Sequence, residues 1–263
     1  MPEALVLPER RGATLILRLN RPESGNAISR EVALALGEHL RACEADAALR
    51  TLIVTGAGSR YFCTGGDVKA YAQLATPEEL DRVFNLMRDV CDSIERLPCP
   101  VIAAINGYAV GGGAELALAC DLRIAEADVQ IGFPQSRLGI IPGWDGTERL
   151  LRTVGRSAAA RLLYTGNRVG ATEAREMRLV DEAVPNGTAV ARALELAATF
   201  AEVAPLSLAA IKQGLREAGR SDGGGAEART RAREAFARLW FTEDHKEAER
   251  AFVQKRAPRF VGR

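Results

Sequence analysis

Only two histidines, His39 and His245, occur in 263 residues, and the five cysteines, Cys43, Cys63, Cys91, Cys99 and Cys120, form no CxxC pair and no His/Cys ligand spacing. Zinc sites need such spacing, so no metal is expected, and the odd set of thiols is expected to stay reduced, in the cytoplasm. Nowhere does an apolar run approach the roughly 20 residues that cross a bilayer. The N-terminal MPEALVLPERRG holds no apolar stretch of signal-peptide length, so neither secretion nor membrane spanning is expected. Neither charge dominates: 35 Lys+Arg face 34 Asp+Glu, for a net charge of +1 and a sequence pI near 7.6. Coating nucleic acid or an anionic membrane calls for a clustered basic excess, which is missing. No fixed-period repeat, low-complexity tract or G-x-S-x-G nucleophile elbow is present, which argues against acyl-enzyme hydrolysis.

What is there is an ordinary globular composition, 47% hydrophobic and 26% charged, with enough chain for a substantial core. Residues 13–19, ATLILRL, read as a strand broken by the Asn20 to Gly25 stretch with Pro22. Ser29 suits the N-cap of a helix whose Val32, Leu36 and Leu40 share a face. Residues 51–55, TLIVT, and 100–106, PVIAAIN, are short apolar runs of the kind buried on both faces of a parallel sheet. Each leads toward a glycine loop, CTGGDVK or YAVGGGAEL, and then a helix, the first opened by Thr76, Pro77 and Glu79 and ended before Pro98. Strand, glycine loop and helix thus occur twice in the first 120 residues, which predicts an α/β fold built of βαβ units.

Past about residue 145 the strand signals fade. Helices are expected from Thr147, Thr172, Thr188, Pro205, Glu227 and Asp244, with one weak strand at 180–184 and a flexible break at Gly223, Gly224 and Gly225. This change of character suggests a main domain with a smaller helical appendage.

The glycine loops sit where an α/β sheet binds ligands. They lack the G-x-G-x-x-G spacing of dinucleotide folds, and no G-x-x-x-x-G-K-[ST] occurs, so an NAD-dependent oxidoreductase is disfavoured. Backbone N–H groups at helix N-termini favour negative charge, and two of them converging on one point would form an oxyanion hole. The same glycines could equally serve tight turns alone.

Three segments, CTGGDVK at 63–69, INGYAVGGGAELALACD at 105–121 and LGIIPGWDGTERLLRTVG at 138–155, together with AFVQKRAPRF near the end, resemble the crotonase superfamily of enoyl-CoA hydratases and isomerases. The resemblance covers nearly the whole chain in order. It implies a crotonase-like spiral of ββα units over residues 1–200 that binds and transforms an acyl-CoA. Residues 201–263 would then form a helical trimerisation region that covers the CoA, usually giving a homotrimer or a dimer of trimers. Coenzyme A enters as part of the substrate, with no permanently bound cofactor.

By the same resemblance, the amides of Gly66 and Gly112 hold the thioester oxygen and Glu115 carries the proton. The second hydratase carboxylate would fall at position 135, where this chain has Gln135. An amide can hold water but cannot exchange a proton at neutral pH. Trp144 and Gly143 would line the acyl pocket. Asp145, where hydratases commonly carry glycine, is either a second acid/base or, the favoured expectation, the cap of the following helix. For CoA itself the resemblance points to the backbone at Ala27, to Lys69, to Lys255 or Arg256, and to Trp240 beside adenine, while Glu23 replaces a lysine common in the N-terminal loop. The implied activity is an acyl-CoA lyase of the enoyl-CoA hydratase type. Alternatives are a decarboxylase or isomerase on the same fold, or a non-catalytic acyl-CoA-binding protein.

Overall fold

The computed structural model of the chain describes residues 4–72, 74–219 and 225–263. Its elements are β1 (Val6–Arg11), β2 (Thr14–Leu19), α1 (Arg30–Ala45), β3 (Thr51–Gly56), β4 (Tyr61–Cys63), α2 (Val68–Tyr71), α3 (Pro77–Arg96), β5 (Val101–Ile105), β6 (Tyr108–Val110) and α4 (Gly112–Ala119). There follow β7 (Leu122–Glu126), β8 (Gln130–Gly132), α5 (Gly146–Thr165), β9 (Arg168–Gly170), α6 (Ala171–Glu176), β10 (Glu182–Val184), α7 (Ala189–Ala201), α8 (Pro205–Ala218), α9 (Gly225–Trp240) and α10 (Glu243–Gln254). The six helices expected from the sequence after residue 145 are all present, each starting within two residues of its expected position. Positions 223 and 224 of the expected glycine break lie outside the described residues, and α9 begins at the third glycine.

Two sheets organise the chain. One has six strands in the order β1-β2-β3-β5-β7-β10, parallel from β2 onward, and the other has four in the order β4-β6-β8-β9. The pairs β3-β4, β5-β6 and β7-β8 each send the first strand to the large sheet and the second to the small one before a helix follows. The repeating unit is therefore ββα, which corrects the βαβ reading. The second strand of each unit has three residues, too few for any periodicity to register.

Alternation along the central strands makes two cores. Ile16, Ile53, Ile102 and Ile124 pack against Ala189 and Ala193 of α7. Leu17, Leu52, Val54 and Ala103 point the other way, toward Leu36, Val90 and Leu116 of α1, α3 and α4. Each fully buried aliphatic side chain contributes about 1.5–3 kcal/mol. Ser29 and Thr76 cap α1 and α3 as expected, their hydroxyls accepting from the N–H of Val32 and of Glu79. All five cysteines are buried, unpaired thiols, and burial pushes the Cys63 and Cys120 thiols up to about 12.

The buried Lys212 ammonium fastens α8 to this body, donating to the carbonyls of Ile94 (2.9 Å) and Cys99 (3.0 Å) and pairing with Asp121 (2.7 Å). Among the described residues no single helix is long and apolar enough to cross a membrane.

Candidate active site

The first glycine loop follows β4 and is held from both sides. Ile28 donates its N–H to the Gly65 carbonyl (2.8 Å), Asp67 donates to the Ile28 carbonyl (2.9 Å), and Thr64 donates to the Gly25 carbonyl (3.0 Å). Gly65 has φ +94°, and a Cβ there would lie 2.7 Å from the Gly112 nitrogen, so only glycine lets the two loops meet. Asp67 caps α2, accepting from the N–H of Ala70.

The second loop turns at Gly111 (φ +60°), whose N–H donates to the Gly132 carbonyl, and all eight residues of α4 are buried. A Cβ on Gly113 would meet the Cys63 carbonyl oxygen at 1.9 Å. Gly112 is the first residue of α4, so its N–H has no acceptor within the helix. The Gly66 and Gly112 loops thus adjoin, with a donor of this kind at the helix start.

Glu115, one turn into α4, is 2% exposed. Its Oε2 accepts from the backbone N–H of Trp144 (2.8 Å) and of Gly146 (2.9 Å), and its Oε1 accepts from Gln135 Nε2 (2.9 Å). Burial raises the Glu115 carboxyl above its ordinary value, and these three donors pull it only partway back. The Oε1 of Gln135 is itself buried and has no hydrogen-bond partner among the described residues. A buried acceptor without a donor is costly and suits a water or ligand O–H.

Trp144 is 2% exposed, and its six-membered ring lies against Gly112, where an added Cβ would come within 2.4 Å of Cη2 and Cζ3. The Tyr71 ring covers Gly66 in the same manner, with its hydroxyl donating to the Ile28 carbonyl (2.9 Å), and Phe84 lies against Gly143. Tyr71 and Phe84 touch, ring centroids 5.5 Å apart, so an aromatic wall lines the space beside the two glycine loops. Of this wall the sequence reading identified only Trp144, because nothing in the local sequence marks Tyr71 or Phe84 as facing the glycine loops.

Asp145 corrects an expectation. It occupies the residue before α5, but its side chain makes no capping hydrogen bond and is exposed. Its backbone is left-handed (φ +61°, ψ +24°), a conformation that glycine adopts freely and Asp tolerates. The acceptor at the start of α5 is Glu115. Among the described residues the Asp145 side chain makes no hydrogen bond, to Glu115 or to any other, although the N–H groups on either side of it donate to the Glu115 carboxylate.

The expected CoA contacts are dispersed. Ala27 is buried and its carbonyl accepts from Arg21 Nη1 (2.8 Å). Lys69, on α2, is exposed. Trp240 ends α9, its ring tilted against those of Phe236 and His245 at centroid distances of 5.7 and 4.5 Å, and Lys255 is the residue after α10, with φ +52°. Arg256 is engaged by Glu247. Two arginines escaped the sequence reading: Arg88 donates to the Gly143 carbonyl (3.0 Å), and the buried Arg149 to that of Trp144 (2.5 Å). Arginines at helical spacing read as a solvated face, and nothing local marks these as loop supports.

The family described as enoyl-CoA hydratase/isomerase matches residues 9–263. The chain is 36% identical to the 2,3-dehydroadipyl-CoA hydratase of Escherichia coli K12, with all of both chains covered. It is 35% identical to the short-chain-enoyl-CoA hydratase of Clostridium acetobutylicum over 95% of each. A crystal structure of an enoyl-CoA hydratase from Bacillus anthracis superposes with a TM-score of 0.92 at 34% identity, covering 99% of this chain and 100% of that one. The family match and the superposition both run over nearly the whole chain, which belongs to the enoyl-CoA hydratase/isomerase family.

Proposed function

We propose that the protein adds water to an α,β-unsaturated acyl-CoA thioester, or removes it, with Glu115 as the sole proton carrier. The N–H groups of Gly66 and Gly112 donate to the thioester carbonyl oxygen as negative charge grows on it. Gln135 Oε1 and Glu115 Oε1 hold the water. Glu115 takes one proton from that water as its oxygen bonds to Cβ, the electron pair of the double bond moves to the enolate, and the acid returns the proton to Cα. The observation that carries this reading is the 2%-exposed carboxylate three residues after Gly112, hydrogen-bonded to an amide whose own oxygen has no partner among the described residues. Hydratase names among the relatives support it. The test is loss of the conjugated thioester absorbance of crotonyl-CoA; no water addition with either crotonyl-CoA or a longer enoyl-CoA overturns the reading.

A second reading rests on Gln135. With one carboxylate, loss of CO₂ from a branched malonyl-CoA would generate the same enolate without a base. CO₂ release from methylmalonyl- or ethylmalonyl-CoA without crotonyl-CoA hydration would favour it.

Trp144 limits the acyl group in this scheme, because its ring fills the space beside Gly112. Trp144→Ala is expected to raise kcat/KM for a longer enoyl-CoA relative to crotonyl-CoA by about tenfold. Lys69, Lys255, Trp240 and the Ala27 backbone remain the residues proposed to meet the CoA. The chain is proposed to divide into a catalytic part, 1–200, and an assembly part, 201–263. Leu215, Phe236, Phe241 and Phe252 are each more than 60% exposed in the single chain and suit burial in a homotrimer or hexamer. Light scattering giving a monomer mass would overturn that assignment.

A further inference from the structure

We propose that Arg88 and Arg149 are positioning residues for Glu115, acting through the peptide groups of the turn before α5. The inference rests on the reading of Glu115 as proton carrier and adds what fixes its state.

Arg88 Nε donates to the Gly143 carbonyl at 3.0 Å, and the N–H of Trp144 donates to Glu115 Oε2 at 2.8 Å. These are the two ends of one peptide group. In a trans peptide the C=O and N–H point in opposite directions, so a cation and a carboxylate lie at opposite poles of a single dipole. A guanidinium at the oxygen withdraws density from the nitrogen and strengthens the N–H···carboxylate bond beyond it.

Arg149 holds the next carbonyl, Trp144, at 2.5 Å. It thereby fixes the turn through Asp145 that returns the Gly146 N–H to the same Oε2 at 2.9 Å. Its remaining donors reach Asp92 (2.7 Å) and Glu95 (3.2 Å) of α3. Arg88, Asp92 and Glu95 stand four and three residues apart, one face of α3, so this helix grips the turn once directly and once through Arg149.

Few other charges reach Glu115. From α3 the buried Cys91 faces it, and burial keeps that thiol protonated. In the turn before α5, Asp145 is exposed; Gln135 is neutral; Asp92 and Glu95 are paired with Arg149, and Asp81 lies 3.7 Å from Arg88. Arg88 and Arg149 are thus the cations aimed at the site through its own donors.

The experiment compares the pH dependence of kcat/KM for crotonyl-CoA hydration in wild type, Arg88→Gln, Arg88→Lys and Glu115→Gln. Arg88 is partly exposed on α3, and both of its substitutes can still donate to the Gly143 carbonyl. A cation favours the carboxylate, so its removal must raise the carboxyl. The acid limb of Arg88→Gln is expected to move up by roughly half a pH unit, with kcat on that limb down by about threefold and KM within about twofold. Arg88→Lys is expected to restore the wild-type limb. An acid limb shared by Arg88→Gln and wild type, while Glu115→Gln is inactive, overturns the positioning role alone. Full activity in Glu115→Gln overturns the underlying reading instead.

Discussion

Helices α4 and α5 start alike and are used differently. Each follows a residue with positive φ, Gly111 at +60° and Asp145 at +61°, and neither has a side-chain cap from that residue. At α5 the first N–H, that of Gly146, is consumed by Glu115. At α4 the first N–H, that of Gly112, has no acceptor in its own helix and stands beside the other glycine loop. One helix start therefore binds the protein's own carboxylate, and the other is the one proposed to receive the thioester oxygen. The two caps share a positive φ but differ in ψ, −125° at Gly111 and +24° at Asp145, and together the two helix starts supply the proposed site with its acid and its anion receptor.

The largest expected effect breaks the occupied end. Glu115→Gln should lower hydration of crotonyl-CoA on the order of 10³-fold. It should also stabilise the fold at neutral pH by about 1 kcal/mol, because its amide oxygen still accepts from α5 and its NH₂ can meet a reoriented Gln135 Oε1. The sign follows from linkage. Folding raises the Glu115 carboxyl above its ordinary 4.5, so the native state is penalised once that group must ionise. The stability gap to the Gln variant should be absent below the ordinary value, open as pH rises through it, and level off above the raised native one. Urea unfolding at several pH values measures it, and a gap that shrinks with rising pH refutes the assignment.

Gly112→Ala attacks the open end. The new methyl would collide with Trp144 at 2.4 Å, and tilting of the amide should cost about 10²–10³-fold in kcat. Gly113→Ala, one residue on, meets the Cys63 carbonyl at 1.9 Å and should lower thermal stability instead, which separates site damage from fold damage. The smallest effect is expected at Asp145→Gly: activity within about twofold and stability within about 1 kcal/mol, since the left-handed backbone suits glycine. A hundredfold loss there would restore a catalytic role to the Asp145 carboxylate.

Much of the scaffold was legible because its signals are local. Ser29 and Thr76 announce helix starts through the residues that follow them, and TLIVT and PVIAAIN are apolar over lengths that suit buried strands. The small sheet was not legible, since Tyr61–Cys63, Tyr108–Val110 and Gln130–Gly132 are shorter than two periods of alternation. Of the site, the glycine loops and Glu115 emerged from motif and resemblance. The hydrogen bond from Gln135, twenty residues away, and the arginine contacts to Gly143 and Trp144, 55 and 5 residues away, are tertiary facts with no local trace. The Asp145 reading failed for a related reason: an aspartate before a helix has the composition of a cap, and only the backbone reveals that a neighbour's carboxylate already does that work.

The five buried thiols give the chain a built-in clock. Cys43 sits in α1, Cys63 beside the first glycine loop, Cys91 in α3, Cys99 ahead of β5 and Cys120 at the end of α4, all shielded from reagents in the native state. Alkylation then proceeds only as each neighbourhood opens. Mass-resolved labelling of the unmodified protein would report which part of the core yields first, cysteine by cysteine, with no probe introduced.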